Sequence, residues 1–70
     1  MHNQYRAVIK QDGDWWIGWI EEIPGVNCQE RTRAELLETL KITLQEALEF
    51  NRNEALQSAS SDYVEEMVLT

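Results

Sequence analysis

The pattern of apolar and polar residues over the first third of the chain predicts a hairpin of two strands. Residues 5–10 and 15–20 are both rich in aromatic and β-branched residues, which favour strands. Asp12-Gly13 stands between them, and Asp-Gly is a strong signal for a tight turn because glycine tolerates positive φ. We therefore expect two paired strands joined by a short turn.

Two weaker strands are predicted further along the chain. Pro24-Gly25 interrupts the sequence after the hairpin, because proline removes a backbone donor and glycine permits a sharp bend. Residues 26–30 then alternate weakly, as in a short third strand. Near the end, residues 53–62 are polar and lack a period, which predicts a linker, and residues 63–70 predict a last strand. That strand pairs either within the chain or with a neighbouring chain.

The longest periodic stretch, residues 33–52, predicts a helix. Thr32 and Glu35 have the spacing of a capping box, in which the threonine hydroxyl accepts from the backbone N–H of the glutamate and the glutamate carboxylate reaches back. Apolar residues recur within about a third of the helical wheel and form a stripe that covers one face of the sheet. The stripe comprises Leu36, Leu37, Leu40, Leu44, Ala47 and Leu48.

These elements define an α+β fold in a single domain over residues 1–70. The order β-β-β-α-β predicts a small antiparallel sheet of three to four strands with one long helix packed on one face. A core of this size rarely supplies more than ~3–5 kcal/mol of stability. The one cysteine, Cys28, excludes an intramolecular disulfide. We therefore expect a homo-oligomer, a dimer or tetramer, or a permanent partner.

The charge of the chain restricts its partners. Thirteen acidic residues against six basic ones give a net charge of −7, whereas nucleic acids are bound through a basic stripe. Direct binding of nucleic acid or of an anionic membrane is disfavoured, and a basic protein partner suits the acidic surface. Solubility alone is the other explanation of the charge. The first five residues lack a signal-peptide pattern, so we expect a cytoplasmic protein.

Residues that carry chemistry are scarce, and we expect no catalysis, no cofactor and no metal site. His2 is the one histidine, so Cys28 has no second histidine to activate it as a nucleophile. Paired acids such as Glu21-Glu22 and Glu65-Glu66 point to opposite faces if they lie on strands. The three glycines are isolated and form no phosphate-binding loop.

Two features of the sequence predict binding surfaces. On the helical wheel, glutamates gather opposite the leucine stripe around an apolar residue, with a phenylalanine at their shoulder, as in a contact with a polar rim. The candidate residues for partner binding are Glu35, Glu38, Ile42, Glu46, Glu49 and Phe50. The alternative is a solvated face with a scattered apolar residue. The second feature is the second strand, apolar on both faces, for which Trp16 and Ile20 are the candidate oligomer contacts on the face that the helix leaves uncovered.

The order of these motifs resembles the HicB-type antitoxin domain. In that family an aromatic-rich hairpin is followed by a Pro-Gly break, a short strand with glutamine and an acidic helix opened by threonine. The matching residues here are Pro24, Gly25, Gln29, Thr32 and Glu35. Val26, Cys28 and Glu30-Arg31 depart from the usual pattern.

The resemblance implies a partial ribonuclease-H-like fold without catalytic acids, and a role as inhibitor. HicB-type domains bind a small basic HicA-type toxin, a ribonuclease that cleaves mRNA, and cover its active site. The chain carries no DNA-binding module of the kind that many members have, so DNA-mediated autoregulation is not expected. The alternative function is an orphan oligomeric module that is structural or binds a small ligand. A metal-dependent nuclease is a third possibility, and the spacing of the carboxylates disfavours it.

Overall fold

A computed structural model of the chain describes residues 4–68, and within them it contains three strands and one helix. The strands are β1 (Ala7–Asp12), β2 (Trp15–Ile20) and β3 (Asn27–Glu30), and the helix is α1 (Arg33–Ala59). The strands form one antiparallel sheet in the order β1-β2-β3. The prediction of an α+β fold with a small antiparallel sheet and one long helix is confirmed.

The hairpin is built around a two-residue loop, Gly13-Asp14, with Asp12 paired to Trp15. Gly13 has a φ of 62°, and glycine at the first loop position is the feature of type II′ hairpins, whose twist matches that of the strands. The hairpin prediction is confirmed, with β1 beginning and ending two residues later than predicted.

The chain returns to the sheet through the Pro24-Gly25 break, where Gly25 has a φ of 92°. Val26 lies just before β3, and its carbonyl accepts a hydrogen bond of 3.0 Å from the backbone N–H of Ile20. Its side chain is 3% exposed. The third strand is thus confirmed, with its first predicted residue serving as part of the core instead of the ladder.

Helix α1 begins at the predicted N-cap, where the Glu35 carboxylate meets the Thr32 hydroxyl and not the Thr32 backbone N–H. The hydroxyl of Thr32 accepts from the backbone N–H of Glu35 at 3.1 Å and also lies 3.2 Å from the Glu35 carboxylate, to which it can donate. The helix continues to Ala59, so the linker predicted from residue 53 is wrong over most of its length. Glu54, Ala55, Leu56 and Gln57 are good helix formers and continue the helix without an apolar stripe. Ser60, with a φ of 69°, ends it.

The core lies between the first half of α1 and the sheet. Its buried residues are Ile20 and Val26 from the sheet side and Leu36 and Leu40 from the helix. Leu44 and Ala47 pack against this cluster, as the predicted stripe requires. Leu37, also assigned to the stripe, is 39% exposed, because it lies at the margin of the buried arc.

The second half of α1 extends past the sheet. A 27-residue helix is about 40 Å long at about 1.5 Å per residue, whereas six-residue strands span about 20 Å. The molecule is accordingly elongated, with extents of 51 × 23 × 15 Å. From residue 49 to the end of the helix every side chain except Leu56 is exposed.

The segment after the helix forms no strand over residues 63–68, and Leu69 and Thr70 lie outside the described residues. The predicted last strand is therefore not formed within the chain over those six residues. Tyr63, Val64, Met67 and Val68 are 46–84% exposed. Within residues 4–68, no helix combines the length and apolar character that a bilayer crossing requires.

Candidate protein-binding surfaces

The helix places all six predicted partner-binding residues on its solvent side. This outer helix band consists of Glu35, Glu38, Ile42, Glu46, Glu49 and Phe50, and each of them is exposed. Ile42 is 47% exposed and Phe50 is 63% exposed. Because the core-facing residues occupy the opposite side of α1, the band points away from the strands, and its Phe50 edge borders the loop between β2 and β3.

Two shallow depressions meet on this band. One, of about 580 Å³, lies along the helix, with Ile42 at one end and Asn53 at the other. The second, of about 390 Å³, lies between the helix and the loop that joins β2 to β3. Glu46 and Phe50 line both. The phenylalanine ring is therefore a ridge with a concave surface on either side.

The loop residues Ile23 and Pro24 extend this surface beyond what the sequence pattern indicated. Both line the second depression together with Phe50. The helical wheel could not show this, because it describes one element at a time. The sequence did give one indication of this contact. Phe50 lies at the edge of the band on the helical wheel, and an edge residue is the nearest to an element that packs beside the helix.

The charge of the band is not neutralised within the described residues. Across residues 4–68 the one salt bridge joins Arg52 to Glu65 at 3.4 Å, and both side chains are more than half exposed. Glu38, Glu46 and Glu49 have no hydrogen-bonded or ionic partner in that same part of the chain. Their carboxylates are available to a cationic partner.

The second predicted surface is present, but on different residues. Ile20 is 6% exposed in the core and Trp16 packs against it, so the placement of these two residues on the uncovered face is wrong. Gly18 shares their side of β2, and a Cβ there would lie 3.1 Å from Leu36 of the helix. The alternation of side chains along a strand therefore puts Trp15, Ile17 and Trp19 on the opposite side.

We call this opposite side the uncovered sheet face, since no element within residues 4–68 packs over it. Direct pairing across the strands adds residues of β1 and β3 to it. Its members are Val8, Lys10, Asp12, Trp15, Ile17, Trp19, Asn27 and Gln29. The guanidinium of Arg31 lies 4.3 Å from the centre of the Trp15 ring and covers one end of the face.

The residues considered for chemistry are held in structural contacts. Cys28 is half-buried against the core, and its thiol lies 3.5 Å from the hydroxyl of Thr43. Among residues 4–68 no three histidine, cysteine, aspartate or glutamate side chains come together as a metal site. His2 lies outside the described residues.

Comparison with known proteins does not identify this arrangement. The chain matches no protein-family model, no curated protein and no solved structure. Its function must therefore be argued from the two surfaces.

Proposed function

We propose that this chain is a HicB-type, antitoxin-like domain that binds a small basic ribonuclease of the HicA type and covers its active site. The observation that carries the proposal is the outer helix band, in which exposed apolar side chains stand among glutamates, and three of these, Glu38, Glu46 and Glu49, have no partner within residues 4–68. An apolar centre with a charged rim is the usual anatomy of a protein interface. The proposal places the protein in the cytoplasm, where mRNA is found.

The electrostatics of the band suit a ribonuclease as the partner. An enzyme that cleaves RNA has a cationic surface for the phosphate backbone. The glutamates of the band can occupy that surface in place of phosphates, so the inhibitor competes directly with the substrate. Complementary charge also accelerates encounter at low salt. Inhibition needs no chemical step in this scheme.

The apolar residues supply the part of the affinity that salt does not screen. Residues that dominate interfaces are commonly aromatic and lie near the centre in well-packed pockets. Phe50, between its two depressions, has this position. Ile42 lies along the same helix side a little more than two turns earlier. From residue 35 to residue 50 the band is about 22 Å long at about 1.5 Å per residue.

The test is inhibition of RNA cleavage by a purified HicA-type ribonuclease, with the chain titrated at low and high salt. We expect saturable inhibition that weakens as salt rises. Phe50→Ala should lower the apparent affinity at least about tenfold, the size of a loss of about 1.4 kcal/mol. Glu46→Lys should weaken inhibition chiefly at low salt.

Glu54→Lys is the matched control, because it makes the same charge change on the same helix outside the band. Equal effects of Glu46→Lys and Glu54→Lys would assign the inhibition to net charge alone. Failure of the chain to inhibit at saturating concentration would overturn the proposal.

One observation favours the alternative function, an orphan oligomeric module. The uncovered sheet face exposes tryptophan on the side away from the band. Self-association through that face would need no contribution from the acidic band. If substitutions in the outer helix band left the inhibition of RNA cleavage unchanged, that result would support this alternative.

A further inference from the structure

We propose that the uncovered sheet face binds the same face of a second copy of this chain and forms a weak symmetric dimer. The proposal goes beyond the inhibitor function and does not depend on it, because it concerns the opposite side of the molecule. It also replaces the contacts predicted from the sequence with a different set of residues.

The face carries a continuous apolar strip. Trp15 is 36% exposed and Trp19 is 39% exposed, and half-buried Ile17 stands between them on the same strand. Val8 lies directly across from Trp19 in the register of β1 and β2. Aromatic side chains bury large areas when covered, so a partner on this face removes much apolar surface from water.

The charge distribution selects a second copy as the occupant. Two chains that each carry −7 repel one another wherever their acids meet. Asp12 is the single acid among the strand residues of this face within residues 4–68, since Glu30 turns to the helix side and binds Thr39. Lys10 and Arg31 add positive charge here. This is therefore the surface on which two acidic chains can meet with least repulsion.

Other occupants fit the same face less well. A basic protein is drawn to the acidic band and not to a face that carries Lys10 and Arg31. Single-stranded RNA stacks on aromatic rings but also needs a basic groove for its phosphates, and the net charge of the chain opposes it. A second copy brings cations and an acid on one surface, so the face is complementary to itself.

The shape of the face also suits a symmetric contact. A shallow depression of about 430 Å³ lies between β2 and β3, lined by Ile17, Trp19, Asn27 and Gln29 among others. A partly exposed ring, Trp15, lies on the same face. In a two-fold interface each copy presents the same patch, and residue i of one copy meets residue j of the other. The ring of each copy can therefore fill the depression of the other, so that the contact is made twice.

The dimensions of the sheet predict a weak dimer. Three strands spaced about 4.8 Å apart and about 20 Å long cover roughly 300 Å² in projection. Stable interfaces bury about 800 Å² per partner. The face alone is smaller than that, so we expect dissociation in the micromolar range or weaker.

Analytical ultracentrifugation of the full chain over a range of concentrations tests the proposal. We expect a reversible monomer–dimer equilibrium for the wild type. Trp19→Glu and Lys10→Glu should each raise the dissociation constant by about tenfold or more, because the symmetry brings every added charge into the contact twice. Lys10 is exposed, so Lys10→Glu keeps the test decisive if Trp19→Glu fails to fold by circular dichroism.

Val64→Glu is the matched control for Trp19→Glu, since it adds the same single negative charge to an exposed apolar residue of the tail and should leave the equilibrium unchanged. A monomer at the highest soluble concentration would overturn the proposal. So would association that Val64→Glu abolishes and Lys10→Glu does not, which would place the contact on the tail. Saturable quenching of tryptophan fluorescence by a pyrimidine-rich RNA, lost in Trp19→Glu, would assign the face to RNA.

Discussion

Thr39 donates a hydrogen bond of 2.8 Å from its hydroxyl to the carboxylate of Glu30. This bond ties the last residue of β3 to the second turn of α1, in a part-buried position at the edge of the core. It holds the short third strand against the helix, since Cys28 is the one apolar residue of that strand that packs on the core.

Thr39→Val should therefore destabilise the protein. Valine keeps the shape of threonine but leaves the Glu30 carboxylate without its partner, and a hydrogen bond to a charged group contributes about 1.5–3 kcal/mol. Thr43→Val is the control, because Thr43 accepts a weak thiol hydrogen bond at 3.5 Å from Cys28. Urea denaturation of both variants measures the free energies of unfolding, and a loss as large in Thr43→Val would contradict this account.

Gly18→Ala should also lower the free energy of unfolding. An added Cβ would lie 2.9 Å from Ile9, 3.0 Å from the Val8 carbonyl and 3.1 Å from Leu36, and overpacking of this kind costs about 1–3 kcal/mol. Gln29→Ala is the comparison, since Gln29 is an exposed residue of the neighbouring strand β3, and surface substitutions of this kind change stability little. Thermal melts should show a clear loss for Gly18→Ala and little change for Gln29→Ala; the reverse order would refute the close approach of helix and sheet.

Adjacent leucines in α1 should differ sharply when truncated. Leu36 is 0% exposed, and its change to alanine should cost about 2–5 kcal/mol, enough to unfold a large part of the population in a domain of this size. Leu37 is 39% exposed, and Leu37→Ala should keep most of the stability. Circular dichroism at 25 °C separates the two outcomes, and similar helical signals from both variants would show that the stripe is oriented differently.

Thr32→Ala should cost about 1 kcal/mol of stability through the loss of the helix N-cap. Thr32→Asp keeps an acceptor for the N–H of Glu35, which Thr32 now bonds at 3.1 Å, and should retain most of the wild-type stability. Chemical denaturation of the three proteins in parallel measures the effect. An alanine variant as stable as the aspartate variant would mean that the cap contributes nothing.

Hydrogen exchange should divide α1 into two parts. Amides near Leu36 and Leu40 lie over the core and should exchange through global unfolding. Amides of residues 51–59 lie beyond the sheet on an exposed helix and should exchange faster, by local fraying. Mass spectrometry of proteolytic fragments resolves the two regions, and uniform protection along the helix would show that something covers its second half.

The sequence predicted the hairpin and the start of the helix because each rests on local chemistry. Gly13 supplies a positive φ, and the hydroxyl of Thr32 accepts from the free backbone N–H of Glu35 in the first turn of the helix. The end of the helix was missed because residues 53–59 have helix propensity but no apolar period. Propensity without packing is a weak signal, and the periodicity used to place the helix vanishes there.

The two candidate surfaces differ in how far the sequence could define them. The outer helix band follows from the helical wheel once the leucine stripe is known, and all its residues are exposed as predicted. Strand β2 is apolar on both faces, so alternation could not say which side meets the helix. Gly18 indicates the side that meets the helix, because glycine in a strand often marks a place where another element comes close.

The acidic band and the uncovered sheet face lie on opposite sides of a two-layer molecule, so occupation of one does not obstruct the other. Two chains joined through their sheets would therefore present two bands directed outward, away from each other. Such a pair is bivalent toward any target that is itself dimeric or displayed in several copies. Simultaneous engagement of two such sites can raise the apparent affinity by about 10²–10⁴ without any new contact.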